Sequence, residues 1–425
     1  MKIDPVNRLR GTVTVPGDKS ISHRAVMLGA ISEGITEADG FLPGADCLST
    51  IACFRKLGIE IAQEDTHVMI HGKGLHGLNA PSGTLDVGNS GTTMRLMSGI
   101  LAGQTFASTL DGDASIRKRP MGRVMTPLRE MGAEINGAGE GLTAPLSING
   151  QKLHGISYVS PVASAQVKSC VLLAGLYAEG ETTVTEPTRS RDHTERMLSA
   201  FGGDVRVNGN EVTVQPEPHL IGQKLLVPGD ISSAAYFIAA GLLVPDAEIL
   251  IKNVGINPTR DGILRVARAM GGEVLLVSER NVSGEPVADL LVKSSPLHGI
   301  EIGGDIIPTL IDEIPVIAVM AACADGDTVI RDASELRVKE TDRITTVTDN
   351  LSRLGIKAES QPDGMVICGG QFSGGTVDSF LDHRIAMAFA VAGLVASDPV
   401  TIHNADCVDI SYPSFYQDLQ KLTGV

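Results

Sequence analysis

The sequence has no tryptophan and few aromatic residues of any kind: tryptophan, tyrosine and phenylalanine make up 3% of its 425 residues. A surface that stacks on nucleic-acid bases needs such side chains. The formal net charge of −15 also disfavours a polyanionic partner, because binding to nucleic acid depends on clustered lysine and arginine. We therefore expect no nucleic-acid partner. A local basic cluster can still bind a small anion, because salt screens distant charges beyond about 8 Å.

The six cysteines are scattered without a CxxC pair or any spacing typical of metal ligands. They are interpreted as free, buried thiols rather than as a metal site. The Walker A and GxSxG sequences are absent. The one GxGxxG match, at residues 72–77, is followed by Asn-Ala-Pro where a nucleotide-binding loop requires a helix start.

Long apolar runs are also missing, and none reaches the length of a transmembrane helix. Residues 1–10 contain no apolar secretory core. We therefore expect a cytoplasmic protein with no membrane partner. Apolar residues account for 43% of the chain and charged residues for 20%, as in globular proteins, and a chain of this length predicts two domains.

One phrase, Val-Pro-Gly-Asp, occurs twice, half a chain apart, at residues 15–18 and 227–230. Each copy runs into an apolar, alanine-rich pattern that predicts a helix, over residues 24–31 and 234–243. The repetition indicates two homologous halves that meet at matched turns. Chemistry should be sought at the charges that only the first copy carries: Lys19, His23 and Arg24.

Each half divides further, because a glycine that ends an apolar helix recurs about every 70 residues. Glycine just past a helix readily adopts the left-handed conformation that caps it. The predicted caps are Gly58, Gly132, Gly202, Gly271, Gly355 and a degenerate copy at Gly424. Units of this length exceed solenoid repeats. Six of them, three in each half, predict compact α/β domains with internal threefold symmetry.

Six polar loops, one in each unit, stand directly before an apolar helix. The free N–H groups and positive dipole end of a helix start favour a bound anion. The loops are Asp18–Ser20, Asn89–Thr93, Ser164–Gln166, Asp230–Ser232, Ile311–Glu313 and Asp382–Arg384. Basic residues concentrate in and near them, and arginine pairs with carboxylate and phosphate through two parallel hydrogen bonds. A substrate with several negative charges is therefore expected.

Residues 337–343 form the densest charged stretch, and the apolar spacing of residues 344–351 predicts an amphipathic helix there. Lys339 and Arg343 would then share one helix face. A charged helix start is often only structural, but like charges at this spacing repel, and a bound anion would relieve the repulsion. Asp312 precedes an apolar helix over residues 314–321, where a carboxylate often only complements the helix dipole. Near a basic cluster it is a candidate general base.

Seven motifs, in this order, closely resemble the EPSP synthase (3-phosphoshikimate 1-carboxyvinyltransferase) family: Pro16–Arg24, Gly88–Thr92, Lys118–Met121, Ala163–Ser169, Arg191–Glu195, Leu336–Arg343 and Leu381–Met387. The forms at 118–121 and 164–166 look like the class II bacterial branch. The resemblance covers essentially the whole chain. It implies two inside-out α/β domains, each of three βαβαββ repeats. It further implies an upper domain at 15–228, a lower domain at 1–14 and 229–425, and crossings near Gly17-Asp18 and Gly229-Asp230.

The resemblance also implies a transferase of the shikimate pathway of aromatic amino acid biosynthesis, without a metal or organic cofactor. Such an enzyme moves the enolpyruvyl group of phosphoenolpyruvate to the 5-hydroxyl of shikimate 3-phosphate and releases phosphate, through a tetrahedral intermediate and with domain closure. The positions that match the shikimate 3-phosphate site are Lys19, Ser20, Arg24, Ser164, Ala165, Gln166, Arg191, Asp312 and Lys339. Those that match the phosphoenolpyruvate site are Lys19, Gly91, Arg119, Gln166, Arg343 and Arg384.

By the same resemblance, Asp312 accepts the hydroxyl proton, Glu340 protonates the methylene carbon and Lys19 bridges both substrates. Some family members carry a lysine before the C-terminal aromatic-Pro segment, but this chain reads Ile-Ser-Tyr-Pro at 410–413. No phosphoenolpyruvate contact is therefore assigned to that segment. Gly91 stands where some glyphosate-tolerant members place alanine, so we expect glyphosate to compete with phosphoenolpyruvate. A monomer is expected.

Two other functions stay open at this point. The sister transferase that acts on UDP-N-acetylglucosamine shares the fold, but most of its members place a cysteine in the loop that reads Ser115–Pro120 here. A non-enzymatic anion-binding repeat protein would need the helix dipoles, but not Asp312 and Glu340 together.

Overall fold

The computed structural model describes residues 1–140 and 142–424, which divide into two compact units. The N-half unit comprises Gly17–Val227 with Val282–Gly284, and the C-half unit comprises Met1–Pro16, Pro228–Asn281 and Glu285–Val425. The N-half unit thus begins two residues after the expected upper domain, ends one residue before it, and takes in a short separate segment.

The helices and strands alternate along the chain. The helices are α1 (Lys19–Ile31), α2 (Ala45–Lys56), α3 (Gly91–Ala102), α4 (Gly122–Glu130), α5 (Ala165–Gly175), α6 (His193–Ala200), α7 (Ile231–Leu243), α8 (Gly262–Ala269), α9 (Ile314–Ala322), α10 (Arg343–Arg353), α11 (His383–Leu394) and α12 (Phe415–Thr423). Short 3-10 helices occur at Ile116–Lys118, Gly304–Thr309, Ser334–Val338 and Ala405–Ile410.

The strands are mostly short. They are β1 (Lys2–Ile3), β2 (Leu9–Thr14), β3 (Glu33–Asp39), β4 (Glu60–Glu64), β5 (His67–Lys73), β6 (Leu85–Asp86), β7 (Ala107–Asp111), β8 (Glu134–Ala138), β9 (Thr143–Asn149), β10 (Leu153–His154), β11 (Ser157–Val159), β12 (Ala178–Glu179), β13 (Thr182–Thr185), β14 (Val205–Asn208), β15 (Glu211–Val214), β16 (Lys224–Leu226), β17 (Ala247–Gly255), β18 (Glu273–Val282), β19 (Glu285–Lys293), β20 (Glu301–Ile302), β21 (Asp327–Ile330), β22 (Ala358–Gln361), β23 (Gly364–Cys368), β24 (Gly375–Asp378) and β25 (Val400–His403).

The four-stranded sheets of the N-half unit share one topology, with the same strand order and the same pairing directions. Their orders are β16-β3-β5-β4, β6-β7-β9-β8 and β11-β13-β15-β14. In each sheet the first pair is parallel and the next two pairs are antiparallel. The parallel strand of the first sheet, β16, comes from the far end of the unit.

The C-half unit repeats this topology. Its sheets are β2-β17-β19-β18, β20-β21-β23-β22 and the three-stranded β24-β25-β1. Here the distant strand is β2, which pairs in parallel with β17 from Leu9↔Ala247 to Lys252↔Thr14. The N-terminal residues therefore complete a sheet that is otherwise built from the second half of the chain.

Each unit buries its central helices and exposes one face of its sheets. In the N-half unit α3 packs against α1 and α5, and in the C-half unit α9 packs against α7 and α11. All nine residues of α9, Ile-Pro-Val-Ile-Ala-Val-Met-Ala-Ala, are buried, as a helix that is apolar on every side requires. Strands such as β9 alternate buried and exposed residues, which leaves one sheet face towards solvent. The predicted inside-out α/β fold class is confirmed.

The predicted glycine caps are also confirmed. All six have a positive φ, between 72° for Gly424 and 99° for Gly202. Three of the six cysteines, Cys47, Cys53 and Cys170, are buried, and the other three are half-buried. Across the part of the chain that the structure describes, no helix is both long enough and apolar enough to cross a membrane.

Candidate active site

Lys19 opens the first turn of α1 in the N-half unit. The helix begins there because the Asp18 carboxylate accepts a hydrogen bond from the backbone N–H of Ile21 at 2.9 Å. The Lys19 Nζ lies 3.1 Å from Asp46 Oδ2, and 18% of the Lys19 side chain stays exposed. The ammonium group is therefore held in place and still reachable by a ligand.

Arg24 lies one turn further along α1 and is almost fully buried. Its Nε donates to Thr194 Oγ1 at 2.6 Å, its Nη2 to Ser169 Oγ at 2.8 Å and its Nη1 to the carbonyl of Ser20 at 2.9 Å. Thr194 belongs to α6 and Ser169 to α5. One guanidinium group therefore connects α1, α5 and α6 close to Ser20 in the first turn of α1.

Gln166, at the start of α5, reaches towards the start of α3. Its Oε1 accepts from Arg95 Nη1 at 2.5 Å, and its Nε2 donates to Thr92 Oγ1 at 3.0 Å. Arg95 Nη2 also donates to the carbonyl of Pro120 at 3.1 Å. These bonds orient the amide of Gln166 and bring the loop of Arg119 close to both helix starts.

Gly91 is the first residue of α3, and two guanidinium groups approach it closely. A Cβ at this position would lie 3.1 Å from Arg119 Nη1 and 3.1 Å from Arg95 Nη1. Arg119 Nη2 donates to Asn89 Oδ1 at 2.7 Å, which fixes its approach. Two cations next to the free N–H groups of a helix start favour a bound anion.

Two further loops complete the candidate residues of the N-half unit. Ser164 caps α5 by accepting from Val167 N at 3.4 Å, and its own N–H donates to Glu186 Oε1 at 3.0 Å. Arg191 and the neighbouring Ser190 precede α6. Ser190 N donates to the other oxygen of the same carboxylate, Glu186 Oε2, at 3.2 Å. The two loops therefore share one buried acceptor.

In the C-half unit, three cations surround Asp312, which lies just before α9. Its Oδ1 is 3.4 Å from Arg343 Nη1 and 3.7 Å from Lys339 Nζ, and its Oδ2 is 3.7 Å from Arg384 Nη2. Charge-assisted hydrogen bonds are usually about 2.7–2.9 Å long. These longer separations leave the cations able to bind an anionic ligand beside the carboxylate.

Arg343 and Arg384 are buried cations that carboxylates keep charged. Arg343 Nε donates to Asp382 Oδ2 at 2.8 Å and Nη2 donates to Glu340 Oε2 at 2.7 Å. Burial alone would lower the pKa of Arg343, but Asp382 and Glu340 raise it, and the net shift is upward. Burial and Asp312 oppose each other at Arg384 in the same way, and its pKa is also raised. Both side chains therefore keep their charge without a ligand.

Comparisons with known proteins decide the family. The EPSP synthase (3-phosphoshikimate 1-carboxyvinyltransferase) sequence profile matches residues 3–419. The chain belongs to this family. It is 59% identical over 424 residues to the 3-phosphoshikimate 1-carboxyvinyltransferase of Brevibacillus brevis, with 100% of both chains covered. The Bacillus subtilis protein of that name is 54% identical over 425 residues, with 100% of this chain and 99% of the relative covered.

Solved structures agree with the fold. A structure of EPSP synthase from Acinetobacter baumannii is 48% identical, with a TM-score of 0.89 over 99% of this chain and 97% of that chain. The enolpyruvyl transferase NikO from Streptomyces tendae is 19% identical, with a TM-score of 0.81 over 99% of this chain and 96% of that chain. At that identity the second match bears on the fold alone.

One local prediction about the site is wrong. Lys339 and Arg343 do not share a helix face, because Lys339 ends the 3-10 helix Ser334–Val338 and α10 begins only at Arg343. The reason is Asp342, whose side chain accepts from Thr345 N at 3.2 Å and caps the helix. Lys339 and Arg343 approach each other through Asp312, which lies between their charged groups.

Sequence reasoning included Asp382, Ser169 and Thr194 in its motifs but missed that they hold the basic residues, and it missed Glu186 altogether. Asp382 stands before α11 as Asp18 stands before α1, so the repeat pattern was a usable signal for it. The partners of Arg24 gave no local signal, since Thr194 and Ser169 are 170 and 145 residues away in sequence. Glu186 gave none either, although it accepts from both loops described above.

Proposed function

We propose that this chain transfers the enolpyruvyl group of phosphoenolpyruvate to the 5-hydroxyl of shikimate 3-phosphate and releases phosphate. The observation that carries the proposal is the arrangement around Asp312. A carboxylate that can accept a proton lies within 4 Å of three cations, and a second carboxylate, Glu340, is bonded to one of them. A transfer between two anionic substrates needs a base, an acid and several fixed positive charges.

The residues proposed to bind shikimate 3-phosphate are those that match the family's motifs. Their shared property is a polar group at or near a helix start. They are Lys19, Ser20, Arg24, Ser164, Ala165, Gln166, Arg191, Asp312 and Lys339. Support comes from the contacts of Arg24 and Gln166, which are oriented by hydrogen bonds to neighbouring side chains. Preorganised polar groups lose little entropy on binding.

The residues proposed to bind phosphoenolpyruvate are Lys19, Gly91, Arg119, Gln166, Arg343 and Arg384. Phosphoenolpyruvate carries a carboxylate and a phosphate, and both match the geometry of arginine. The absence of a side chain at Gly91 leaves Arg119 and Arg95 close to the start of α3. The buried charges of Arg343 and Arg384 supply the remaining positive potential.

Asp312 acts as the base and Glu340 as the acid in an addition that is followed by an elimination. The 5-hydroxyl oxygen attacks C2 of phosphoenolpyruvate while its proton passes to Asp312, and Glu340 gives a proton to the methylene carbon. The product of this addition is a tetrahedral intermediate. In the elimination, the bond from C2 to the phosphate oxygen breaks, a methyl proton returns to a carboxylate, and the double bond re-forms. Phosphate leaves with the electrons of the broken bond.

Glu340 must carry a proton before it can act as the acid. Glu340 Oε2 accepts a hydrogen bond from Arg343 Nη2 at 2.7 Å. An anionic group of phosphoenolpyruvate that takes this donor frees Glu340 to hold a proton. Substrate binding and acid formation are then coupled. Lys19, whose Nζ pairs with Asp46, is proposed to bridge both substrates.

The test is phosphate release from phosphoenolpyruvate, measured with and without shikimate 3-phosphate. We expect release only when both are present. Asp312→Asn and Glu340→Gln should each lower kcat by about 10²–10⁴-fold, the usual contribution of a positioned acid or base. Glu359→Gln is the matched control, because Glu359 is an exposed acidic residue on β22 of the same unit. A rate of phosphate release that does not depend on shikimate 3-phosphate would contradict the proposal. Full turnover of Glu340→Gln would remove its role as acid.

A cytoplasmic location and a monomeric state belong to the same proposal. The strongly acidic composition supports the monomeric state, because a net charge of −15 opposes self-association. Light scattering after gel filtration tests the second statement. A mass of 44.5 kDa is expected for one chain.

A further inference from the structure

A buried ion cluster lies behind the helix start that carries Ser164. Lys168 is one turn into α5, and only 1% of its side chain is exposed. Its Nζ lies 2.9 Å from Glu186 Oε2 and 2.7 Å from Glu195 Oε1. Both carboxylates are buried as well. One ammonium group therefore faces two carboxylates inside the N-half unit.

The two glutamates differ in what else they contact. Glu186 Oε1 accepts from the backbone N–H of Ser164 at 3.0 Å. Its Oε2 accepts from the N–H of Ser190 at 3.2 Å and from the hydroxyl of Ser190 at 2.9 Å. Glu195 lies on α6, and its one ion pair among the described residues is with Lys168. Of the two glutamates, it is therefore Glu186 that joins the loop before α5 to the loop before α6.

These two loops carry residues of the proposed shikimate 3-phosphate site. Ser164, Ala165 and Gln166 follow directly from the first, and Arg191 follows Ser190 in the second. Hydrogen bonds to a charged acceptor are roughly twice as strong as neutral ones. A buried carboxylate is costly unless its bonds are satisfied. A purely structural contact between these loops needs no buried charge, whereas a carboxylate with two oxygens fixes the backbone of both at once.

We propose that Glu186 is a positioning residue for shikimate 3-phosphate. Its carboxylate sets the distance between the Ser164–Gln166 segment and Arg191, and Lys168 neutralises it. Glu186 itself makes no contact with the substrate. The proposal rests on the proposed function, because it concerns the substrate assigned to that site.

The experiment compares Glu186→Gln with Glu195→Gln. Each variant removes one negative charge from the same ammonium group, so their effects through Lys168 are matched. Both variants replace a carboxylate oxygen with an amide N–H₂, but only in Glu186→Gln does that amide stand where the oxygens accept from the backbone N–H groups of Ser164 and Ser190. The measurements are the KM for each substrate, kcat, the calorimetric Kd for shikimate 3-phosphate and the thermal unfolding midpoint, all on the full chain.

We expect Glu186→Gln to raise the KM and Kd for shikimate 3-phosphate roughly tenfold, the equivalent of one lost charge-assisted hydrogen bond. The KM for phosphoenolpyruvate should change less, because Arg95 and Thr92 also hold the amide of Gln166. Glu195→Gln should keep both KM values within twofold of the wild-type values. Equal KM changes in the two variants, or an unchanged Kd in Glu186→Gln, would overturn the positioning role.

Ser190→Ala covers the case in which Glu186→Gln does not fold. It removes one hydroxyl donor to Glu186 and leaves the ion cluster intact. A Kd for shikimate 3-phosphate raised a few-fold supports the proposal, and an unchanged Kd contradicts it. Measurements on the wild-type protein distinguish a wrong role for Glu186 from a wrong proposed function. If it neither binds shikimate 3-phosphate nor releases phosphate, the proposed function fails first, and the role of Glu186 falls with it.

Discussion

Replacing Gly91 with alanine adds one methyl group at the start of α3, where two arginines meet. The new carbon would lie 3.1 Å from Arg119 Nη1 and from Arg95 Nη1, and 3.9 Å from Ile116 Cδ1. Ordinary contacts of a Cβ are 3.4–4 Å long. The guanidinium groups must therefore retreat by a few tenths of an ångström. Both are ends of flexible side chains, so the backbone of α3 can stay in place.

The expected cost falls on ligand binding more than on stability. The backbone of Gly91 does not have a positive φ, so alanine fits it, and a compatible Gly→Ala change stabilises a chain by about 0.4–1 kcal/mol. That gain offsets much of the tight contact. Misplacing a binding group by about 1 Å can cost about a hundredfold, so a shift of a few tenths should raise the KM for phosphoenolpyruvate several-fold, with little change in the KM for shikimate 3-phosphate.

The assay is phosphate release at varied phosphoenolpyruvate, with and without glyphosate. Glyphosate should compete with phosphoenolpyruvate in the wild-type protein, and Gly91→Ala should weaken this inhibition. Gly83→Ala is the matched control, because a Cβ at Gly83 meets nothing within 4 Å. If millimolar glyphosate leaves wild-type turnover untouched at limiting phosphoenolpyruvate, the expected competition is refuted. A Gly91→Ala protein with a wild-type KM for phosphoenolpyruvate would refute the assignment of this pocket.

Two further predictions concern stability. Burial, together with Lys19 and Arg24, holds the pKa of His23 well below its ordinary value of 6.5. As the pH falls below 6.5, the unfolded chain therefore takes up a proton that the folded chain excludes. The free energy of unfolding should then drop by up to about 1.4 kcal/mol per pH unit. His23→Gln should flatten this decline in thermal unfolding between pH 7 and pH 5, and equal slopes would contradict it. Gly17→Ala places a Cβ 1.8 Å from the carbonyl oxygen of Gly40 and should destabilise the N-half unit by about 1–3 kcal/mol. An unchanged denaturation midpoint would contradict this prediction, because it would mean that the turn rearranges without cost.

Local signals carried most of the fold. Helix-ending glycines and apolar helices depend on neighbours in sequence, so the six caps and the central helices could be located from the residues alone. The helices nevertheless start earlier than the apolar pattern suggested, at Lys19 and Ile231 rather than at 24 and 234, because Asp18 and Asp230 cap them. A helix start that contains polar residues does not show in the spacing of apolar residues, so that spacing places the start too late.

The candidate site was predictable as a set of residues but not as a geometry. Sequence placed Asp312 near basic residues, yet which cations lie closest depends on three separate loops folding together. The error at Lys339 has a similar origin, since one capping carboxylate outweighed a helical period. The buried partners, such as Asp382 for Arg343, follow from tertiary packing.

The pairing of β2 with β17, and of β16 with β3, bears on how the chain is made. On the ribosome, Leu9–Thr14 emerges early but has no partner until Ala247–Gly255 follows it out. The sheet of β3 likewise waits for Lys224–Leu226 before its parallel edge is covered. Each growing chain therefore passes through a stage with unpaired strand edges, which favour association with other chains. A gene divided between codons 227 and 228 would give two polypeptides, and the second would lack a strand of its own first sheet.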